Sequence, residues 1–228
     1  MKLYNTVHLK QLYVNILYMK QEIITDIILV DIINFSKLSS TQQFEIITFL
    51  TKSYKKVIEK MLASSKMPLS TLIMSFVSTG DGFYCLLDPK LKGYGTFLGL
   101  SFNHFSDQIA HKYPYFQGIK VAVHTGPVSR FQDILGNENY IGDGLNDCSR
   151  YIEFKNFTIS TVMISEAAYN ELKKFLRYHK DFEKILIERE FKRSKAYKFF
   201  DKHNNEKKGY LVWLRKSGII TPPKIDFL

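Results

Sequence analysis

The chain has 228 residues, 45% of them hydrophobic and 14% aromatic, enough to bury the core of one generous domain. This composition excludes a chain that is disordered throughout. Lysine and arginine outnumber aspartate and glutamate by 32 to 22, and the resulting formal charge of +10 favours anionic partners: nucleotides, nucleic acid or an acidic membrane surface.

The first 22 residues carry apolar positions at irregular helical spacing and predict an N-terminal helix or arm. They lack the unbroken apolar core and the small-residue cleavage site of a signal peptide. No apolar run approaches the roughly 20 residues that a membrane helix needs. Cys85 and Cys148 stand in dissimilar contexts without metal-binding spacing, which is typical of reduced thiols. We therefore expect a cytoplasmic protein with no membrane partner.

An apolar strand opens the predicted fold. Residues 23–33, IITDIILVDII, are rich in branched side chains and predict a buried strand. From residue 39 to 63 apolar positions recur every three or four residues, the pattern of a long amphipathic helix. Residues 72–76 and 82–87 flank Ser-Thr-Gly-Asp-Gly and predict a hairpin, because Asp-Gly accommodates the positive φ of a tight turn.

Helical and extended patterns alternate along the rest of the chain. They predict a helix over 95–112, a strand over 119–124, a helix around 146–150, a strand over 158–164, and a helix capped by Ser165 that continues to about residue 178. The basic tail, 182–215, is predicted to end in a hairpin around His-Asn-Asn-Glu-Lys-Lys-Gly. The order β-α-β-β-α-β-α-β-α plus a hairpin indicates an α+β fold with a ferredoxin-like core and a mixed sheet.

No linker or internal repeat divides the chain, so we expect a single domain. Its parts are an N-terminal helix or arm (1–22), a core (23–178) and a basic C-terminal segment with a hairpin (179–228).

Two carboxylates lie at predicted strand ends. Asp31 closes the apolar strand, and Asp81 lies at the tip of the hairpin. Carboxylates on adjacent strand ends form a hard oxygen site that suits Mg²⁺ or Mn²⁺ bound together with substrate phosphates. Taken alone, Asp81-Gly82 is more often an ordinary turn, whereas a carboxylate such as Asp31 is costly to bury without a partner.

Other polar residues follow these strands. Asn34, Phe35 and Ser36 form a strand-to-helix turn whose backbone N–H groups can cradle phosphates, although a simple connecting turn has the same pattern. Asn146 and Arg150 are four residues apart in a predicted helix, which places an amide and a guanidinium on one helical face. Such a pair suits a polar anionic ligand, or is a surface pair without a role.

Taken in order, the segments LVDIINFS, STGDGF, GIKVAVHTGPV and YIGDGLNDCSR resemble the successive motifs of class III nucleotidyl cyclases. The resemblance implies the catalytic-domain fold of that family. It implies that Asp31, the Ile32 carbonyl and Asp81 hold two ions of Mn²⁺ or Mg²⁺. It further implies that Asn146 orients the ribose and that Arg150 stabilises charge developing on the phosphates.

The resemblance covers about residues 25–165 and also implies partners. In this family the metal site and the Asn/Arg pair come from opposite subunits, so a homodimer with two interfacial active sites is expected. A nucleoside triphosphate is the implied substrate, and a separate protein that reads the cyclic nucleotide is the implied effector. The family carries a triphosphate-binding lysine in its last hairpin. A basic cluster, otherwise a solvated surface, contains candidates for it: Lys192, Arg193, Lys195 and Lys198.

The base pocket departs from the common pattern. Adenylate cyclases of this family place Lys four residues before the second metal Asp and Asp seven before the Asn, and guanylate cyclases place Glu and Cys there. Val77 and Asn139 occupy these positions, so neither purine code is present. An unpaired purine edge costs affinity, and Phe76 beside Val77 is expected to narrow the pocket and stack on a smaller ring.

The short chain and the altered pocket resemble the pyrimidine cyclases of bacterial Pycsar anti-phage systems, with UTP favoured over CTP. Alternatively, the protein is an adenylate cyclase whose selectivity lies on other residues, or a silent cyclase-homology module that binds nucleotide or dimerises. The presence of both carboxylates and of the Asn/Arg pair argues against silence. A nucleic-acid-binding domain would explain the positive charge, but the aromatic residues show core-like spacing, so we expect no nucleic-acid partner.

Overall fold

The structure is a computed structural model that describes residues 22–63, 71–155, 157 and 161–216. The predicted N-terminal arm lies outside these residues except for Glu22, and so does part of the strand predicted over 158–164. The twelve C-terminal residues, 217–228, also lie outside them.

The described residues form one nine-stranded sheet: β1 (Glu22–Ile32), β2 (Ile73–Ser78), β3 (Gly82–Leu87), β4 (Ile119–Gln132), β5 (Glu138–Ile141), β6 (Val162–Ser165), β7 (Phe191–Arg193), β8 (Tyr197–Phe200) and β9 (Glu206–Leu214). The strand order is β2-β3-β1-β4-β6-β9-β7, with β5 paired to β4 and β8 paired to β9. β4 and β6 are parallel, and the other pairs are antiparallel. The mixed sheet and the ferredoxin-like arrangement around β1 are therefore confirmed.

In the described part of the chain, five α-helices accompany the sheet: α1 (Ser40–Ala63), α2 (Gly95–Lys112), α3 (Asp143–Ile152), α4 (Glu166–Tyr178) and α5 (Lys180–Glu188). The predicted bounds of α2 and α4 are confirmed, and the Ser165 hydroxyl caps α4 by accepting a hydrogen bond from the Ala168 N–H at 3.0 Å. Helix α5 was not predicted. Its apolar side is buried through Phe182 and Leu186. The charged residues around them give the segment the composition of a basic tail, which hides the helical pattern.

The sheet has two different faces. Alternate residues of β1, Ile28 and Val30, pack with α1, α2, α4 and α5 in the larger core, on what we call the helix face. The intervening residues, Ile27 and Leu29, belong to a second core that α3 covers with Leu145, Cys148 and Tyr151. Asp31 continues this second series, so its side chain belongs to the face that carries α3, called here the site face.

A buried carboxylate on β1 links this strand to its neighbours in the middle of the sheet. Asp26 on β1 accepts hydrogen bonds from the backbone N–H groups of Gly93 (2.6 Å) and Gly95 (2.9 Å), and from the Thr125 hydroxyl at 2.6 Å. Burial raises its pKa to about 6, although these hydrogen bonds lower it. A Cβ on Gly95 would lie 2.7 Å from the Asp26 side chain, so glycine permits this close approach. Asp26 thus joins β1 to β4 and to the turn before α2.

Both cysteines are buried and unpaired, as predicted, and burial raises the pKa of each thiol. The Cys148 thiol lies 3.5 Å from the Ile27 carbonyl oxygen and 3.8 Å from that of Ala122, which seats α3 against β1 and β4. Within the ranges that the structure describes, no helix combines the length and the apolar character that crossing a membrane requires.

Candidate active site

The β2–β3 turn brings the two predicted carboxylates together. Asp31 pairs with Gly82 across β1 and β3, and the Ile32 N–H donates to the Asp81 carbonyl oxygen at 2.9 Å. The turn is closed by a hydrogen bond from the Thr79 N–H to the Gly82 carbonyl oxygen at 3.0 Å. The Thr79 hydroxyl also donates to the Asp81 carboxylate at 3.2 Å. Asp31, Ile32 and Asp81 are therefore neighbours at one end of the site face.

The Asp81 carboxylate opposes the ionisation of Asp31. Partial burial and then repulsion from Asp81 raise the pKa of Asp31, Lys120 on β4 lowers it, and the net value is about 6. A divalent cation relieves such repulsion, and the donors here are the hard oxygens that Mg²⁺ and Mn²⁺ prefer. Among the described residues no third acidic, histidine or cysteine side chain completes a metal cluster. The pair thus fits ions that take their remaining ligands from backbone, water and phosphates.

We expect the affinity for Mn²⁺ to fall as the pH drops below about 6, because protonated Asp31 no longer binds the cation. In the metal-free protein the Asp31 pKa lies above its ordinary value of 3.8, so this group's stabilising contribution is present below pH 3.8 and is lost as the pH rises through 6. Electron paramagnetic resonance of free Mn²⁺ between pH 5 and 8 measures the affinity. Asp31→Asn is the control, since it leaves the similar titration of Asp26 in place. A pH-independent affinity in the unsubstituted protein would contradict the expectation.

Gly82 on β3 leaves no room for a side chain beside β1. A Cβ there would lie 1.9 Å from the Val30 carbonyl oxygen, which cannot give way without moving the strand. We expect Gly82→Ala to destabilise the fold by about 3 kcal/mol, as severe overpacking does, and to weaken Mn²⁺ binding by separating Asp81 from Asp31.

Gly80→Ala is the matched control for this substitution. Gly80 has φ +93°, and a Cβ added there would meet open space. The substitution Gly80→Ala should therefore destabilise the fold by about 1 kcal/mol, through backbone strain alone. Thermal unfolding by circular dichroism and Mn²⁺ titration compare the two variants. Equal effects in both would show that the contact with Val30 is unimportant.

The predicted pair lies on the side of α3 opposite Cys148, with Asn146 exposed and the Arg150 side chain only 14% exposed. Cys148 points into the sheet, and Asn146 and Arg150 stand two residues on either side of it, each rotated about 200° around the helix. Asn146 is exposed, while the Arg150 guanidinium lies 3.4 Å from Glu153. No hydrogen bond or ion pair found among the described residues joins this pair to Asp31 or Asp81. One subunit thus presents the two groups separately.

Arg150 lines a cleft of about 490 Å³ between α3 and the β8–β9 hairpin. Lys155 and Lys202 line the same cleft, so three cations gather there. Asp201 also lies in its wall, but its carboxylate accepts the His203 and Asn205 N–H groups and closes the turn.

The residues singled out in the basic tail lie elsewhere. Lys198 is paired with Glu206 at 3.0 Å, and Arg193 stacks on Tyr169 and Tyr210. None of the four predicted candidates lines the cleft that holds Arg150. Lys202 is the lysine of the last hairpin that does so. The sequence feature that could have identified Lys202 is its position at the start of the predicted hairpin turn.

The predicted base-pocket residues lie on opposite faces of β2. Val77 pairs with Tyr84 and packs in the second core on the site face. Phe76 pairs with Cys85 and packs against Phe83 on the helix face, with ring centroids 5.4 Å apart. The expectation that Phe76 stacks on the base is therefore wrong, since adjacent strand residues point to opposite faces.

Tyr84 is the aromatic residue beside Val77. Burial raises its pKa to about 12, while a hydrogen bond with Ser149 and the charge of Arg150 lower it. The Ser149 hydroxyl in turn donates to the Asn146 carbonyl oxygen at 2.6 Å. Tyr84 thus links the strand of the predicted pocket to the helix that carries the Asn/Arg pair.

Asn139 lies on β5 opposite Phe131 of β4, and its side-chain oxygen accepts the Tyr140 N–H at 2.8 Å. Strand β5 was not predicted, and β4 is longer than expected because it continues into this hairpin. β5 also contacts β2, although three strands separate them in hydrogen-bonding order. The hairpin therefore brings the strands that bear Asn139 and Val77 together.

The three candidate residues of the turn after β1 differ in their conformation and contacts. Asn34 adopts the left-handed conformation with φ 56°, and its side-chain amide donates to Gln117 at 2.7 Å. Phe35 packs against the larger core, and Ser36 is exposed. Because the side chains of Asn34 and Phe35 are engaged, phosphate binding at this turn would rest on backbone N–H groups.

No protein-family model matches the sequence, and no curated protein matches it either. Solved structures do match. The catalytic core of a rhodopsin-guanylyl cyclase with converted specificity, in complex with ATPαS, is 17% identical with a TM-score of 0.62 over 86% of this chain and 99% of that one. The chain has the class III cyclase catalytic fold.

Two further structures with this cyclase fold are similar. The guanylate cyclase domain of RhGC from Catenaria anguillulae, in complex with GTP, is 17% identical with a TM-score of 0.61, covering 86% of this chain and all of that one. The adenylyl cyclase CyaB from P. aeruginosa is 16% identical with a TM-score of 0.56, covering 87% and 98%. At such low identity the likeness establishes the cyclase fold, and the chemistry rests on the residues themselves.

Proposed function

We propose that the protein is a metal-dependent nucleotidyl cyclase, which converts a nucleoside triphosphate to its 3′,5′-cyclic monophosphate and pyrophosphate. The observation that carries the proposal is the contact between Asp31 and Asp81 at one end of the site face of a cyclase fold. A degenerate module has no need of a carboxylate, Asp31, held partly buried beside a second carboxylate that raises its pKa.

The residues take the following roles. Asp31, Asp81 and the Ile32 carbonyl would hold two divalent cations, whose charge would neutralise the triphosphate and acidify the ribose 3′-hydroxyl, so that this hydroxyl releases its proton to solvent. The 3′-oxygen attacks the α-phosphorus in line, and the bond from that phosphorus to the β-phosphate's bridging oxygen breaks. Asn146 holds the ribose, and Arg150 supplies a fixed positive charge where negative charge develops.

Lys202 and the turn after β1 complete the binding of the triphosphate. Lys202 shares the cleft of Arg150 and adds a second positive charge beside the phosphates. The backbone N–H groups of Asn34, Phe35 and Ser36 cradle the phosphate chain beside Asp31.

The active enzyme is a homodimer with two sites at its interface. Asn146 is exposed, and Arg150 lines a cleft open to solvent, without a hydrogen bond or ion pair among the described residues to the two metal-binding carboxylates of its own chain, which suits a contribution to the site of a second copy. The β4–β5 hairpin offers an apolar contact, since Ile134 is 100% exposed and Leu135 83% exposed at its tip. Apolar side chains that are fully exposed on a hairpin held by Asp133 favour a protein partner.

A pyrimidine nucleotide is the proposed substrate, with UTP preferred over CTP. The apolar Val77 and the amide of Asn139 replace the charged groups that would pair with a purine edge, and β2 and β5 contact each other. Tyr84 offers an aromatic ring beside Val77. The cyclic nucleotide would then act as a messenger in anti-phage defence, read by a separate effector protein.

The deciding experiment is incubation of the purified protein with ATP, GTP, CTP and UTP, each with Mn²⁺, followed by mass spectrometry of the products. Cyclic UMP as the main product is the expected result. Cyclic AMP would keep the chemistry and refute the pyrimidine pocket. The absence of every cyclic product, with the dimer intact, would favour the silent nucleotide-binding module.

Substitution of the pocket tests its specificity directly. We expect Val77→Lys combined with Asn139→Asp to shift the ratio of ATP to UTP turnover by about tenfold or more, because both purine-pairing charges are introduced. Val77→Met with Asn139→Gln is the control that alters size without charge. An unchanged ratio, measured by competition of the two nucleotides, would place selectivity on other residues.

A further inference from the structure

A cavity lies directly behind the turn that carries Asp81. It has a volume of about 460 Å³ and is enclosed by α1 and the β2–β3 hairpin. This volume falls within the range of roughly 300–1,000 Å³ that small-molecule sites occupy. The cavity opens on the helix face, so it is separate from the carboxylate pair on the site face.

The walls of the cavity are aromatic and aliphatic. Phe83 packs edge to face with Phe76 and with Tyr54, at centroid distances of 5.4 and 5.8 Å. Ile47 and Ile58 of α1 complete the apolar lining. Phe76 keeps 46% of its surface exposed inside this concave wall. Since aromatic rings favour edge-to-face and offset partners, the walls suit a flat apolar molecule.

Polar groups stand beside the apolar walls. Lys55 is the one charged side chain among the described lining residues, and Thr51 and Ser78 provide hydroxyls. The Lys55 ammonium lies 3.9 Å from Glu59, and both side chains are more than half exposed. Such an ion pair is weak, which leaves Lys55 available to an anion. The chemistry therefore fits an aromatic body with one anionic group.

We propose that this cavity binds a small aromatic anion, such as a carboxylate or sulfonate, and that the bound molecule regulates the carboxylate pair. Gly80 and Gly82, the two neighbours of Asp81, form part of its wall. Asp31 faces Gly82 across β1 and β3, so a bound molecule that displaces the hairpin from β1 also shifts Asp81 relative to Asp31. The regulatory half rests on the proposed function, because it takes the pair as a metal site. The binding half does not.

Titration of the full chain with 8-anilinonaphthalene-1-sulfonate, an aromatic sulfonate whose fluorescence rises on binding, tests the binding half. We expect saturable binding of one molecule, weakened about tenfold or more by Lys55→Glu, because like charges repel. Lys56→Glu makes the same change on α1 outside the cavity and is expected to leave the affinity unchanged. Thr51→Trp fills the cavity and should abolish binding. Equal effects of the two lysine variants, or full binding to Thr51→Trp, would overturn the site.

Mn²⁺ titration without nucleotide tests the regulatory half. Linkage requires the sulfonate and Mn²⁺ to change each other's affinity by the same factor, which we expect to be about fivefold or more. Equal Mn²⁺ affinity with and without the saturating sulfonate would overturn the regulation. Failure of Mn²⁺ to bind at all would overturn the proposed function and the regulation together, and would leave the sulfonate site standing.

Discussion

Asp81→Ala is expected to reduce cyclic-nucleotide formation by about a thousandfold or more. Loss of one of two metal-holding carboxylates removes several kcal/mol of transition-state stabilisation, and each 1.36 kcal/mol is tenfold in rate. Asp81 is exposed and raises the pKa of Asp31, so its removal relieves repulsion and should not lower thermal stability. Product formation from the nucleotide in Mn²⁺, beside a thermal melt, separates catalysis from folding.

Asp181→Ala is the matched control for this substitution. Its side chain is 93% exposed on α5, with a weak contact to Lys184 at 3.9 Å. It removes the same charge at a distance from the proposed site, and activity is expected to be unchanged. An Asp81→Ala protein that keeps wild-type turnover would show that the carboxylate pair is structural.

The second large effect is recovery of activity on mixing two inactive variants. Arg150→Ala is expected to lose about a hundredfold to a thousandfold in turnover, as removal of a transition-state donor does elsewhere. If Asp81 and Arg150 act across a dimer interface, a mixed dimer of Asp81→Ala and Arg150→Ala contains one intact site. Random exchange makes half of the dimers mixed, and each has one of two sites, so about a quarter of wild-type activity should return.

A mixture of Asp31→Ala with Asp81→Ala is the control for that recovery. Both substitutions damage the same half of the site, so no mixed dimer contains an intact site and activity should stay near zero. Recovery in this control, or none in the first mixture, would contradict the division of the site between subunits. Size-exclusion chromatography with light scattering confirms that each mixture is dimeric.

Local pattern was sufficient to predict the elements that carry the carboxylates. The apolar run that ends in Asp31 and the Asp-Gly turn at Asp81 each have a strong signature, because branched residues favour strands and Asp-Gly favours a tight turn. Their adjacency required only that β1 and β3 pair. The structure confirms that pairing, with Asp31 opposite Gly82. The shared side of Asn146 and Arg150 on α3 follows from helical geometry once Cys148 is known to face the sheet.

The features that local pattern did not predict are Lys202 and β5, which depend on tertiary contacts, whereas the assignment of Phe76 overlooked the local alternation of a strand. Phe76 was assigned to the base pocket from its place beside Val77, although strand alternation separates them. Lys202 meets Arg150 only because the last hairpin folds over the end of α3, a contact between segments some fifty residues apart. The short strand β5 has no sequence signature of its own, since its four residues gain their extended form from pairing with β4.

The hydrogen bonds of Asp26 determine which residue of β1 reaches the carboxylate site. The interior of β1 is apolar on both faces, so hydrophobicity alone would tolerate sliding of the strand by two residues along β4. Such a slip would withdraw Asp26 from the Gly93, Gly95 and Thr125 donors and leave a buried carboxylate unsatisfied. It would also carry Asp31 about 7 Å from the β2–β3 turn. Asp26 therefore fixes the register of β1. This register places Asp31, at the far end of the same strand, beside Asp81.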